Sequence, residues 1–349
     1  MTERYLMFRV FYLFLLLFLA SLAFTQTITV LTHNSFNISK EVIANFTEQT
    51  GIEVRFLEGG DAGETINRAI LTKKRPLADL LYGVDNSLIA KAVKEDIFEP
   101  YESELLGNIP KSYTSDFKGF ATPIDIGFVN FNLDKEWFQE NSLAFPTDIS
   151  QLTEEAYRGL TVVENPVSSS PGLAFMLATI AKFDEDWLNY WADLRDNDLL
   201  VTEGWTDAYY TAFTRYGGDR SIVLSYASSP VAEVVFAEKE LEDAPTANLF
   251  CESCVYRQIE AVGILKGTKQ PKAAKAFIDY MLSLNFQEDI PLNMFVYPIN
   301  QEAKLPEVFA YSQIPQENEV ANLPADTIEE NQANWLEDWT KVVLQGHNP

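Results

Sequence analysis

Short strand-like runs alternate with helical stretches along this chain, and two long extended runs interrupt the alternation and restart it. Residues 28–31 are a β-branched strand, and residues 41–50 read as a helix with Val42, Ile43 and Phe46 on one side. Gly51 stands where a left-handed C-terminal cap belongs. A strand over 52–57, a Gly/Asp-rich turn at 59–63 and a helix over 64–71 follow, then a strand over 77–82 whose end, Asp85-Asn86-Ser87, caps another helix. The first extended run covers 123–131. After it come strand 160–164, helices 172–183 and 187–194, strand 222–226 and helix 231–240. The second extended run, 256–265, leads into helix 271–284. This pattern predicts an α/β protein with a largely parallel sheet, in which the chain leaves one lobe, builds a second and returns. A length of 349 residues exceeds what one hydrophobic core usually fills, which agrees with two lobes. Ligands of such sheets sit beyond the carboxyl ends of strands, here at 33–36, 60–63 and 83–87. At the C-terminal end, Trp335, Trp339, Val342 and Val343 recur at helical spacing, as a packing stripe does.

The N-terminus reads as an export signal. Arg4 and Arg9 precede an apolar run from Val10 to Ala20, and Ser21-Leu22-Ala23 supplies small residues for cleavage. An uncleaved anchor is the alternative, although the run is short for a spanning helix, and no Cys follows it to carry a lipid. The two cysteines, Cys251 and Cys254, have neither a second pair nor a nearby His, so a zinc site is disfavoured and a disulfide formed after export is expected. A net charge of −25, from 26 Lys+Arg against 51 Asp+Glu, excludes nucleic acid as a partner, because phosphate backbones require basic patches.

Two Ser-rich turns each open a helix behind a Pro: Ser168-Ser169-Ser170-Pro171-Gly172 and Ser225-Tyr226-Ala227-Ser228-Ser229-Pro230. Helix N-termini present unpaired N–H groups and a partial positive charge, which suit phosphate or hydroxyl oxygen. Simple N-capping accounts for the same residues. Trp205, Tyr226, Phe295 and Tyr297 are aromatic candidates for holding a planar cation, whereas an aromatic content of 13% sends most such rings to the core. His33 follows a predicted strand and can line a cleft, while His347 lies in the tail. A nucleophile elbow, a P-loop and an H-E-x-x-H motif are all missing from the sequence.

In order and spacing these motifs resemble those of the thiamine-binding proteins of bacterial ABC importers. The resemblance rests on Thr32-His33-Asn34-Ser35-Phe36, Gly83-Val84-Asp85-Asn86, Asp125-Ile126-Gly127, Ser169-Ser170-Pro171-Gly172-Leu173, Gly204-Trp205-Thr206-Asp207, the Ser225 to Pro230 turn, and Tyr297-Pro298. It implies the type II periplasmic binding protein fold, with two crossover segments as a hinge. The lobes would then be residues 26–123 plus 257–349 and residues 124–256, after a signal at 1–25. It further implies a periplasmic monomer with no cofactor of its own, carrying thiamine or its mono- or diphosphate to an ABC permease. Carried over by position, Asp61, Ala62, Ser169, Ser170, Trp205, Tyr226, Ala227, Ser228 and Ser229 line the site, joined by His33 and Phe295. Asp61 would supply countercharge or accept from ligand donors. His33 stands where the family has Tyr, Phe295 where it has Trp, and the 59–63 loop is a residue longer.

Two other readings follow from the same residues. Adjacent Tyr209-Tyr210, with His33, resemble the tyrosine-rich set of ferric-ion binders in this superfamily, although one ring of the pair should be buried. Thiaminases share the fold but need a nucleophilic Cys in the cleft, and Cys251 and Cys254 lie away from the predicted cleft loops.

Overall fold

Residues 26–349 are described by a computed structural model, in which the strands join into a single curled sheet. The expected signal, with Arg4, Arg9 and the Val10 to Ala20 run, lies outside the described residues. Among those residues no helix is long and apolar enough to cross a membrane.

The strands in chain order are β1 (Gln26–Thr32), β2 (Ile52–Glu58), β3 (Leu80–Asp85), β4 (Phe98–Glu99), β5 (Thr122–Asp134), β6 (Thr161–Glu164), β7 (Leu200–Thr202), β8 (Ile222–Tyr226), β9 (Thr246–Leu249), β10 (Tyr256–Leu265) and β11 (Tyr297–Pro298). They lie in the order β2-β1-β3-β10-β5-β8-β6-β7. Within each half the pairings are parallel, β1 with β2 and β3, and β6 with β7 and β8. The two long extended runs are β5 and β10. They pair antiparallel with each other and join the halves, because β10 also pairs with β3 on one side and β5 with β8 on the other.

The helices that matter below are α1 (Lys40–Thr50), α2 (Ala62–Leu71), α3 (Ser170–Phe183), α4 (Trp187–Asp196), α5 (Ser229–Val235), α6 (Pro271–Met281) and α7 (Ala325–Trp339). In α1, Ser39 caps the N-terminus and Val42 and Phe46 face the core. Gly51 closes it at φ 72°, a conformation that costs glycine nothing. In α2, Asp61 and Glu64 form a reciprocal capping box. Most of α3 is buried, from Ser170 to Ile180, as befits a helix that is apolar all round.

Three expected elements shift. The strand predicted at 77–82 begins at Leu80 and runs to Asp85, because Asp79 ties itself to β1 through the Thr29 N–H and Leu77 stays half exposed. Helix 231–240 is instead Ser229–Val235. The acidic stretch Glu238, Glu240, Glu242 and Asp243 would place like charges at the negative end of the helix dipole. Helix 271–284 ends at Met281, where the Ser283 hydroxyl bonds the Tyr280 carbonyl at 2.6 Å and a new turn starts.

The C-terminal stripe packs as expected, and the segment that carries it touches both halves. Trp339 is fully buried with its ring 5.4 Å from Trp191 on α4, and Arg195 donates to the Val342 carbonyl at 2.8 Å. On the opposite side Gln332 donates to the Ser87 carbonyl at 2.6 Å. Cys251 and Cys254 form a disulfide.

Candidate functional site

The carboxyl ends of β1 and β2 turn toward the opening of α3 in the other half, and the cleft lies where they meet. The loops after β1 and β2 are fastened together, with Gly59 N–H donating to Thr32 O and Asn34 N–H to Gly60 O. His33 leans over Gly83. A Cβ at that position would lie 2.6 Å from the imidazole, and the φ of 98° also favours glycine there.

The inner cleft is small, about 70 Å³. The first half lines it with His33, Asn34, Asp61, Ala62, Glu260 and Met294, and the second half with Ser170, Pro171, Trp205 and Tyr226. It widens outward, past Trp205 and Tyr226, into a cavity of about 380 Å³ bounded by Tyr209, Tyr210, Tyr216, Ser228, Ser229, Phe236 and Phe295. That volume is in the range of small-molecule sites. Ser169 and Ala227, both expected at the site, sit one layer behind it with 1% and 0% exposure. Ala227 is held there by its own backbone, its N–H donating to Phe128 O and its carbonyl accepting from Asn248 and Ser312.

Trp205 is fixed on several sides. Its ring stacks on Tyr209 (5.0 Å, 19°), Nε1 donates to Ser225 Oγ at 2.8 Å, and its backbone N–H donates to Asp61 Oδ2 at 3.1 Å. The last bond crosses the cleft. Because Asp61 Oδ1 meanwhile accepts from Ala62 N–H at 2.6 Å, both carboxylate oxygens are engaged by the protein, and the role expected of Asp61 as a ligand's countercharge becomes a tie between halves. Burial pushes the Asp61 carboxyl up, against the lowering effect of those N–H groups and of His33 and Ser169. The halves also meet at Gly63, where a Cβ would stand 2.5 Å from the Ser168 carbonyl.

Capping does not occupy the Ser-rich turns. No side-chain cap bond forms at Ser169 or Ser228. Ser168 donates to Glu203 O, Ser170 accepts from Gln258, Ser228 donates to Phe295 O and Ser229 bonds Ser225.

Acidic groups crowd the floor. Tyr226 OH donates to Gln258 Oε1 at 3.1 Å, Gln258 donates to Glu260 Oε1 at 3.3 Å, and His33 Nε2 lies 3.5 Å from Glu260 Oε2. Tyr82 bridges Asp125 and Glu260 from below. Burial alone would lower His33, but the Glu260 carboxylate and then Asp61 outweigh it and raise its pKa. Burial, reinforced by Glu260, holds Asp125 well above the carboxylate range, and burial lifts Asp85 to about 7. Glu164 is fully buried at the end of β6 with neither oxygen bonded, and burial followed by Asp61 raises it well above its usual value. Glu260, beneath the rings of Trp205 and Tyr226, attracts a cation and disfavours an anion at the floor.

Gln258, Glu260, Tyr216 and Phe236 are site residues that sequence reasoning passed over. One signal was available, namely Gln258 and Glu260 as polar residues inside the otherwise apolar run 256–265. Of the tyrosine pair, Tyr209 is buried and donates to Glu233 at 2.6 Å, while Tyr210 is half exposed. Burial and Glu233 push the Tyr209 phenol well up, against the direction a tyrosinate metal ligand requires. Among the described residues no group of three His, Cys, Asp or Glu could hold a metal.

Residues 75–331 match the family described as bacterial extracellular solute-binding protein. The thiamine-binding periplasmic protein of Escherichia coli K12 is 28% identical over 336 residues, covering 94% of this chain and 97% of that one. A solved periplasmic thiamin binding protein superposes with a TM-score of 0.80 at 25% identity, covering 91% and 96% of the two chains. Iron-bound HitA from Pseudomonas aeruginosa superposes at 0.71 with 16% identity over 90% and 99%, a likeness of fold alone, and the fold of all these neighbours is the expected type II arrangement.

Proposed function

This chain belongs to the bacterial extracellular solute-binding protein family, and from that premise we propose that it captures thiamine, or a thiamine phosphate, for an ABC importer. The observation that carries the reading is the cleft itself, in which Trp205 and Tyr226 stand over a floor containing Glu260. Thiamine is a flat, permanently cationic heterocycle joined to an aminopyrimidine. Aromatic faces attract such a cation and the Glu260 carboxylate balances it, while the N-terminus of α3, at Ser170, offers N–H groups to a hydroxyl or phosphate end. The protein acts as an exported monomeric carrier that hands its ligand to a membrane permease. Relatives carrying the thiamine name over nearly their whole length support the ligand class.

A carrier is favoured over an enzyme because both cysteines of the chain are joined in a disulfide, which leaves no thiol nucleophile. It is favoured over an iron binder because the Tyr209 phenol is committed to Glu233. Calorimetry against thiamine, thiamine monophosphate and ferric ion tests the reading. A thiamine-type ligand binds, and Trp205→Ala and Tyr226→Ala each weaken it by about 1–3 kcal/mol. Heat with ferric ion alone, or wild-type affinity in both variants, would overturn the assignment.

A further inference from the structure

One pole of this strongly acidic protein is basic. Residues 71–77 and 266–275 contain seven Lys or Arg and no Asp or Glu, in a chain where acidic residues outnumber basic ones 51 to 26. The fold brings the two segments together. Lys73, Lys74, Arg75 and Lys269 line one open depression of about 470 Å³ with Thr27 and Thr29 of β1, and Lys272 and Lys275 follow, exposed, on the first turns of α6. Lys73 is paired with Glu95 and Lys266 with Asp96, whereas Lys74, Arg75, Lys269 and Lys272 form no ion pair among the described residues. Besides Glu95 and Asp96, the anions at this border include Asp79, held by the Thr29 N–H and the Thr268 hydroxyl, and Glu53 beside Thr27.

Exposed apolar side chains beside these cations select the partner. Leu71 is 86% exposed and Leu77 50% exposed, so a large apolar side chain stands in solvent at each end of the Lys73-Lys74-Arg75 segment. Cations flanked by exposed leucines suit a bilayer interface, where the charges meet headgroups and the leucines enter the acyl boundary. We propose that this pole is a docking surface for an anionic lipid membrane, which it meets with Lys74, Arg75 and Lys269 and with Leu71 and Leu77. The net charge of −25 does not prevent this, because at physiological salt only charges within a Debye length of about 8 Å act on the headgroups, and the acidic body then faces away. This contact leaves the cleft, at the opposite ends of β1 and β3, away from the lipid, so it holds the carrier at the membrane between deliveries and is separate from the handover to the permease.

The test is co-sedimentation of the full chain with phosphatidylglycerol vesicles and with phosphatidylcholine vesicles, the latter reporting whatever residues 1–25 contribute. Wild type binds the anionic vesicles more strongly, and the excess fades as salt rises. Lys74→Glu/Arg75→Glu/Lys269→Glu lowers that excess about tenfold to a hundredfold. Leu71→Ser/Leu77→Ser lowers it at unchanged charge. A control with equal charge change at exposed positions elsewhere, Lys111→Glu/Lys239→Glu/Lys304→Glu, keeps it. The proposal is overturned if wild type shows no preference for phosphatidylglycerol, or if the control triple loses binding as fully as the first. Binding to polyglutamate as tight as to the vesicles, and indifferent to the leucine changes, overturns it in favour of an acidic protein partner.

Discussion

Gly63→Ala tests whether the approach of the two halves is part of ligand binding. Gly63 is the second residue of α2, and a Cβ there would stand 2.5 Å from the Ser168 carbonyl oxygen and 3.1 Å from that of Val167, both in the opposite half. Ordinary contact begins at about 3.4 Å, so the backbones must part by roughly 1 Å at this point. Backbone oxygens cannot rotate out of the way as a flexible side chain would. Overpacking of this kind costs about 1–3 kcal/mol, which lowers affinity by about five- to 150-fold when the strain is felt only with the halves together. Within α2 the same methyl is favourable, because Ala is the better helix former by up to about 1 kcal/mol. The two effects therefore have opposite signs. Calorimetry should show weaker thiamine binding, while the melting temperature without ligand stays level or rises. Unchanged affinity would mean that the close approach at Ser168 is not needed for binding. A fall in ligand-free melting temperature would mean that the halves already meet at Gly63 and Ser168 without ligand, so that the contact is not part of binding.

Two further outcomes follow from the carboxylates. Asp61→Asn leaves one acceptor where two N–H groups now donate, so it should weaken binding of thiamine and of an uncharged thiophene analogue alike, by about 1.5–3 kcal/mol; a loss confined to the cation would restore the countercharge role. Burial lifts Asp85 to about 7, so the folded protein holds a proton that the unfolded chain has released, and stability falls as pH rises from about 4 to 7. Asp85→Asn keeps an oxygen for the Ser87 and Leu88 N–H groups and removes the titration. Its unfolding free energy relative to wild type, read from denaturant melts, should therefore climb across that window, toward a difference of at most about 4 kcal/mol, and a constant offset at every pH would refute the assignment.

The architecture was readable because it is written in periodicity. β8 and β10 fall on the residues where the apolar runs begin and end, and α1 stops at the glycine that permits a left-handed residue. Elements moved where a local competitor decided the boundary. Ser283 gives its hydroxyl to a carbonyl that the helix would otherwise have used, and the acidic run after Val235 opposes the helix dipole. Neither effect appears in a hydrophobic pattern, and both are matters of one or two hydrogen bonds or charges.

At the site, the loops were legible and their roles were not. Position after a strand identified His33 and the Asp61-Ala62 turn as cleft residues, because strand ends converge there whatever the side chains do. What each group does depends on partners more than a hundred residues away. Asp61 is read as free until the Trp205 N–H arrives from the other half, and Glu260 passes for a strand residue until His33 stands beside it. The contact between Asp61 and Trp205 also joins the two tasks of the cleft. Trp205 presents its ring to a ligand and its backbone to the opposing half, so whatever settles the indole also settles the bond that draws the halves together. Affinity in such a site is the ring contact plus the gain from closure, less the strain at Gly63 and Ser168. For that reason substitutions at the tie should be felt by every ligand, and substitutions on the aromatic wall should discriminate among them.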